Sequence, residues 1–174
     1  MASEQRLQRI LIIGNGGAGK TWLSQAMGER LGLPVTHLDD IRWQPGQYGV
    51  ARDNATVIED TRRLSEADHW LMEGVYGWLA KVLLPRTDLL VWLDVPEEEC
   101  LANIRTRGNQ GGAREESFAE LLEWVATYRT RGGSSCYQAY LDLYDGFTGH
   151  KQRLPDRASI GAFLAGFVPA DQLT

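Results

Sequence analysis

Gly14-Asn15-Gly16-Gly17-Ala18-Gly19-Lys20-Thr21 is the stretch on which the reading of this 174-residue chain turns. It follows Leu7-Gln8-Arg9-Ile10-Leu11-Ile12-Ile13 and opens a helix predicted over residues 22–31. The octet fits G-x-x-x-x-G-K-[ST], the phosphate-binding loop found between a strand and a helix. The spacing has a chemical reason: glycines let consecutive backbone N–H groups turn inward around an anion, and the positive N-terminal end of the following helix adds to the attraction. In such a loop Lys20 reaches the β- and γ-phosphates and the Thr21 hydroxyl takes a place on Mg2+.

Working outward, Gly32 closes the first helix and Pro34 prevents its return, so residues 35–38 run as a second strand. Strand, helix and strand in so short a span imply a parallel pair with a right-handed crossover. The second strand leads into Asp39-Asp40-Ile41-Arg42-Trp43 and an irregular stretch at residues 44–49. Ligands of open parallel sheets gather at the carboxyl ends of strands, so this cluster is expected to face the phosphate loop. Residues 53–67 carry an amphipathic helical pattern. Residues 69–72 form a third strand ending at Glu73-Gly74, and residues 76–84 a helix stopped before Pro85. Leu89-Leu90-Val91-Trp92-Leu93 reads as a strand buried on both faces, closed by Asp94 and followed by a helix start at Pro96-Glu97-Glu98-Glu99. Residues 105–114 are basic, glycine-rich and poor in apolar anchors, which predicts an exposed, mobile segment. Helices are expected over residues 116–128 and 136–144, an edge strand over 151–154 and a closing helix over 159–167.

No repeat, low-complexity tract or long linker divides the chain, so a single domain spanning residues 1–174 is expected. Acidic residues outnumber basic ones 23 to 18, for a formal net charge of −5, which argues against a nucleic-acid backbone or an anionic membrane as partner. Cys100 and Cys136 have no zinc-ligand spacing and form no disulfide framework, which points to a reducing cytoplasm. No apolar run approaches membrane-spanning length, and residues 1–6 lack the apolar core of a secretory signal.

A wider set of residues adds a resemblance. The phosphate loop, His37-Leu38-Asp39, Trp43-x-Pro45-Gly46, Trp70-Leu71-Met72-Glu73-Gly74-x-Tyr76, Arg86-x-Asp88 and Leu93-Asp94-x-Pro96 together resemble the adenylate-kinase-like P-loop kinases. Among these the chain looks closest to the DNA topology modulation proteins. The similarity covers most of residues 7–107 and resumes at Leu154-Pro155-Asp156-Arg157. It implies an α/β, three-layer P-loop NTPase fold with a five-stranded parallel sheet of order 2-3-1-4-5. It also implies an acceptor-binding insertion at about residues 39–68, a lid and helical insertion at about 105–145, and a Pro155-Asp156-Arg157 loop against the adenine. Two positions depart from the family pattern: Glu73-Gly74 stands where Asp-Gly is usual, and Asn103 where an arginine is common, leaving Arg105 as a possible substitute and Arg107 as the second such arginine.

The function expected is that of an ATP- and Mg2+-dependent kinase transferring the γ-phosphoryl group to a nucleoside monophosphate or to a hydroxylic small molecule. The alternative is a nucleotide-dependent regulatory ATPase of the DNA topology modulation type. Phosphoryl transfer asks for positioning and for positive charge around the transferring group. Catalytic candidates are Lys20, Asp39, Arg105 and Arg107, with Arg114 as a further lid cation. The ATP-binding set is Gly14, Asn15, Gly16, Gly17, Ala18, Gly19, Lys20, Thr21, Trp22, Arg107, Pro155, Asp156 and Arg157. Acceptor-binding candidates are Asp39, Arg42, Trp43, Tyr76 and Arg86, with Trp78 also placed to line the pocket. Asp39 suits a hydroxyl acceptor, as orienting group or base, and Arg42 suits a phosphate, by a bidentate contact. Thr21 is the expected metal ligand, with Glu73 holding the metal through water and Asp94 as the competing carboxylate or a helix cap. His37, at a buried strand end, reads as a packed, hydrogen-bonded residue rather than a substrate contact.

Overall fold

The first strand, β1 (Arg9–Gly14), is apolar at consecutive positions, and the reason lies in its surroundings. Ile10 and Ile12 point into one hydrophobic cluster, and Leu11 and Ile13 into another on the opposite side. A strand covered on both faces needs no polar alternation. The computed structural model describes residues 7–109 and 115–167.

After β1 come α1 (Lys20–Leu31), β2 (Val35–His37) and a short α2 (Leu38–Arg42). The hairpin strands β3 (Trp43–Gln44) and β4 (Gln47–Ala51), then α3 (Asn54–Ser65), β5 (Trp70–Gly74) and α4 (Gly77–Leu83), follow. A 3-10 turn at Leu84–Arg86 precedes β6 (Leu89–Leu93) and α5 (Glu97–Arg107). The chain closes with α6 (Glu115–Ala126), α7 (Tyr137–Gly146), β7 (His150–Leu154) and α8 (Arg157–Ala165).

The main sheet has the order β2-β5-β1-β6-β7, and every pairing in it is parallel. Numbered without the separate β3–β4 hairpin, this is the expected order 2-3-1-4-5. Helices α1, α5, α6 and α8 contribute to the cluster on one face through residues such as Leu23, Ile104, Val125 and Leu164. Leu38, Val57, Leu79 and Tyr140 carry α2, α3, α4 and α7 onto the other. This is the three-layer α/β fold that the resemblance implies.

Two local features were not foreseen. The stretch expected to be irregular forms the β3–β4 hairpin, turned by Pro45 and by Gly46 at φ 71°. Such a pair suits a turn with a fixed first φ and a left-handed second residue. The residues after α6 are also closely packed. Tyr128 and Tyr140 are fully buried, and Trp92 Nε1 donates to Tyr128 Oη at 3.1 Å. Gly77 has no room for a side chain, because an added Cβ would lie 1.7 Å from the Ser134 carbonyl oxygen. The chain between α6 and α7 is therefore seated directly on the end of the sheet.

Candidate functional site

The loop after β1 wraps back on itself. Ala18 N–H donates to the Asn15 carbonyl at 3.3 Å, and Lys20 Nζ donates to that same oxygen at 2.7 Å. Asn15 is buried, accepting from Gly16 N–H at 2.9 Å and donating from Nδ2 to the Val125 carbonyl at 3.0 Å. Gly17 has φ 76°, and a Cβ there would meet the Cys100 carbonyl oxygen at 2.4 Å. Only glycine satisfies both the left-handed backbone and the approach of α5. Gly14 ends β1, and Gly19 is the N-cap of the twelve-residue α1, so the helix N-terminus opens at the loop.

Lys20 is 7% exposed, and among the described residues no carboxylate lies within ion-pair distance of it. Burial pushes its ammonium pKa down, and the charge of Arg107 acts the same way; Glu73 and Asp39 pull it up. Groups from α5, β5 and α2 thus act electrostatically on one cation at the start of α1.

Thr21 and Trp22 are exposed at the head of α1. Thr21 Oγ1 lies 3.4 Å from Glu73 Oε1, on β5, and the same carboxylate oxygen lies 2.7 Å from Nδ1 of His37 at the end of β2. Residues 37 and 73 are register partners in the parallel β2–β5 pair. The sequence signals for this contact are absent, since the two residues are brought together only by the pairing of strands separated by a helix, a hairpin and another helix.

On the acceptor side, Tyr76 Oη donates to Asp39 Oδ1 at 2.5 Å. The Arg42 guanidinium stands 5.5 Å from the ring centroids of both Trp43 and Trp78, and its NH1 donates at 2.9 Å to the Arg52 carbonyl and to Asn54 Oδ1. Its Nε and NH2 take no partner among the described residues. Asp39, Arg42, Trp43, Tyr76 and Trp78 therefore form one cluster beyond the carboxyl ends of β2 and β5.

One sequence expectation is corrected. Arg86 lies just before β6, at the amino ends of the strands and opposite the loop, with a strand of roughly 16 Å in between. Its Nε and NH2 donate to the Ser65 and Glu66 carbonyls at 2.7 and 3.3 Å, where a cation suits the C-terminal end of α3. Arg105 stands two residues after position 103 on α5. Asn103 Nδ2 donates to the Gly17 carbonyl at 2.9 Å, which orients that face of α5 toward the loop. Arg107, four residues on, shares this face, whereas Arg105 is about 200° around the helix. Asp94 is 6% exposed and is engaged by Arg129 at 2.8 Å and by Arg153 at 2.6 and 2.9 Å, whereas Oε2 of Glu73 takes no partner among the described residues.

At the far end, Asp156 is spent as the N-cap of α8, accepting from Ser159 N–H at 2.7 Å in a reciprocal capping box. Arg157, one residue on, donates to Asn103 Oδ1 at 2.9 Å. Asn103 therefore joins the phosphate loop to the Pro155-Asp156-Arg157 turn, a bridge visible in sequence only as a missing arginine. Arg114 lies outside the described residues.

Among the described residues no helix is long and apolar enough to cross a membrane. No family model and no curated protein matches the chain. Solved structures do. A shikimate kinase from Bacteroides thetaiotaomicron is 20% identical, with a TM-score of 0.52 over 91% of this chain and 95% of that one. A shikimate kinase from Acinetobacter baumannii, in complex with shikimate, is 16% identical, with a TM-score of 0.57 over 97% and 96%. A gluconokinase from Sinorhizobium meliloti 1021 is 13% identical, with a TM-score of 0.56 over 93% and 94%. At these identities the likeness is one of fold, and with the loop geometry above the chain has the fold of the P-loop kinases.

Proposed function

We propose that this protein is an ATP- and Mg2+-dependent kinase that moves the γ-phosphoryl group to a small-molecule acceptor. The observation that carries this reading is the buried Lys20 ammonium with no carboxylate partner among the described residues. A desolvated cation is costly unless an anion completes it. A phosphate is the anion that a glycine loop and a helix N-terminus also attract.

The residues fit both cofactors. Among the described residues no group of three or more His, Cys, Asp or Glu side chains is placed to hold a metal ion by itself. That suits Mg2+, which rests on one or two protein groups, phosphate oxygens and water. Thr21 would ligate it, and Glu73 would accept hydrogen bonds from its water. When bound, Mg2+ supplies neutralising charge to the phosphate oxygens. Lys20 bridges the terminal phosphates, and Arg107, on the face of α5 that Asn103 turns to the loop, adds positive charge to the transferring group. Arg157 and the turn before it border the adenine. Asp39, steadied by Tyr76, orients the acceptor hydroxyl and takes its proton. Arg42, with NH1 anchored and its Nε and NH2 without a partner among the described residues, holds an oxyanion of the acceptor beside the Trp43 and Trp78 rings.

The acceptor is thus either a hydroxyl compound bearing an acidic group, with Asp39 acting on the hydroxyl, or a nucleoside monophosphate, with Arg42 holding the phosphate that itself accepts the transfer. Measuring ADP release over a panel of such acceptors, with wild type and Lys20→Ala, tests the reading. Acceptor-stimulated turnover is expected in the wild type, with a loss of at least about 100-fold in the variant. Hydrolysis that ignores every acceptor would favour the regulatory ATPase, and turnover unchanged in Lys20→Ala would refute the loop assignment.

A further inference from the structure

Glu73 has three side-chain torsions, so a carboxylate at that position needs a brace if it is to serve one geometry. It is 6% exposed, and its two oxygens are unequal. Oε1 lies 2.7 Å from His37 Nδ1 and 3.4 Å from Thr21 Oγ1; no donor among the described residues reaches Oε2. The brace comes from the sheet itself. His37 is the last residue of β2 and pairs in register with Glu73, so the parallel ladder sets the imidazole beside the carboxylate. A ring with two torsions, fixed on a strand, loses little freedom in holding a longer, looser partner.

We infer that His37 is a positioning residue of the metal-water site: its Nδ1–H anchors Oε1 of Glu73, leaving Oε2 as the acceptor for Mg2+-bound water. The inference rests on the proposed nucleotide site and assigns His37 no contact with substrate. It also sets the tautomer, because the nitrogen facing the carboxylate must carry hydrogen.

The test uses the full chain and thermal shift with ATP, once in EDTA and once with a Mg2+ titration. Wild type should gain melting temperature from ATP, with an added increment that depends on Mg2+. In His37→Ala the ATP gain in EDTA should persist while the Mg2+ concentration for half of the added increment rises about tenfold, the usual scale for loss of an outer-shell hydrogen bond. His37→Asn, which offers an N–H near the place of Nδ1, should recover most of the loss. On a Glu73→Gln background, His37→Ala should cost little more, because the anchored carboxylate is already gone. In turnover, the KM for the acceptor should stay unchanged. The inference is overturned if His37→Ala leaves the Mg2+ titration as in wild type, if it weakens ATP equally in EDTA, or if its effect persists in full without Glu73. Absence of any ATP-dependent shift in the wild type would overturn the nucleotide site and this inference together.

Discussion

Lys20 is costly to the free protein. Its ammonium is desolvated, and the only hydrogen bond it makes among the described residues is to a carbonyl in its own loop. Binding sites hold such groups, since the ligand that completes them stabilises the complex in a way the free protein cannot. The same residue-scale view separates two arginines that look equivalent in sequence. Arg105 and Arg107 both lie in the basic run after α5 begins, and both are exposed. Only Arg107 shares the Asn103 face and acts on Lys20. Arg107→Ala is expected to lower kcat by about 10- to 100-fold, and Arg105→Ala to leave it within about twofold, as for an ordinary surface change. Steady-state kinetics under saturating acceptor would check both. The sequence carried the cations; the helical phase, readable only once Asn103 is seen on Gly17, chose between them.

Elements are held around the site by one buried carboxylate. Asp94 follows β6, takes Arg153 from β7 and Arg129 from the turn after α6, and so ties the sheet to the α6–α7 connection. Arg129 also reaches Glu97 on α5 at 2.7 Å. Both guanidinium groups stack on aromatic rings, Arg153 at 4.3 Å from the Trp92 centroid and Arg129 at 4.9 Å from that of Tyr137. Removing the acid leaves two cations facing each other over a shared gap. Asp94→Ala should therefore destabilise the fold by roughly 2–3 kcal/mol, below the figure for a wholly buried pair because the arginines are partly solvated. Denaturant unfolding would measure it, and a change below about 0.5 kcal/mol would show that the cluster holds nothing. This cluster was not legible in the sequence, where Arg129 and Arg153 are separate surface-like charges and Asp94 resembles a metal-side acid.

At the scale of the whole molecule, two depressed carboxyls among the described residues contribute to acid stability. Burial alone would raise the Asp88 pKa, but hydrogen bonds from the Arg9 guanidinium and from the Gln8 and Arg9 backbone N–H groups, with the Arg9 charge, hold it below 3.8. Asp156 is held below 3.8 by the Ser159 backbone N–H and then the Ser159 hydroxyl. In each case the folded pKa lies beneath the unfolded one. The stabilisation is therefore complete above the unfolded value and is lost as pH falls through the folded value. Thermal melts should accordingly drop as pH falls below about 4, and Asp88→Asn should flatten that part of the curve. An unaltered slope in Asp88→Asn would remove this carboxyl from the account.

What the order of residues determined by itself was local or periodic: a phosphate loop whose spacing is its own chemistry, apolar runs that read as doubly covered strands, and the alternation of strand and helix that implies a parallel sheet, whose order only the family resemblance supplied. The tertiary structure alone decided which charged groups meet. His37 found Glu73 through strand register, Asp94 was taken by arginines from two distant segments, and Arg86 was carried to the amino ends of the strands. Such pairings depend on distances across the fold, and neighbouring residues in a chain encode those only through the packing they jointly produce.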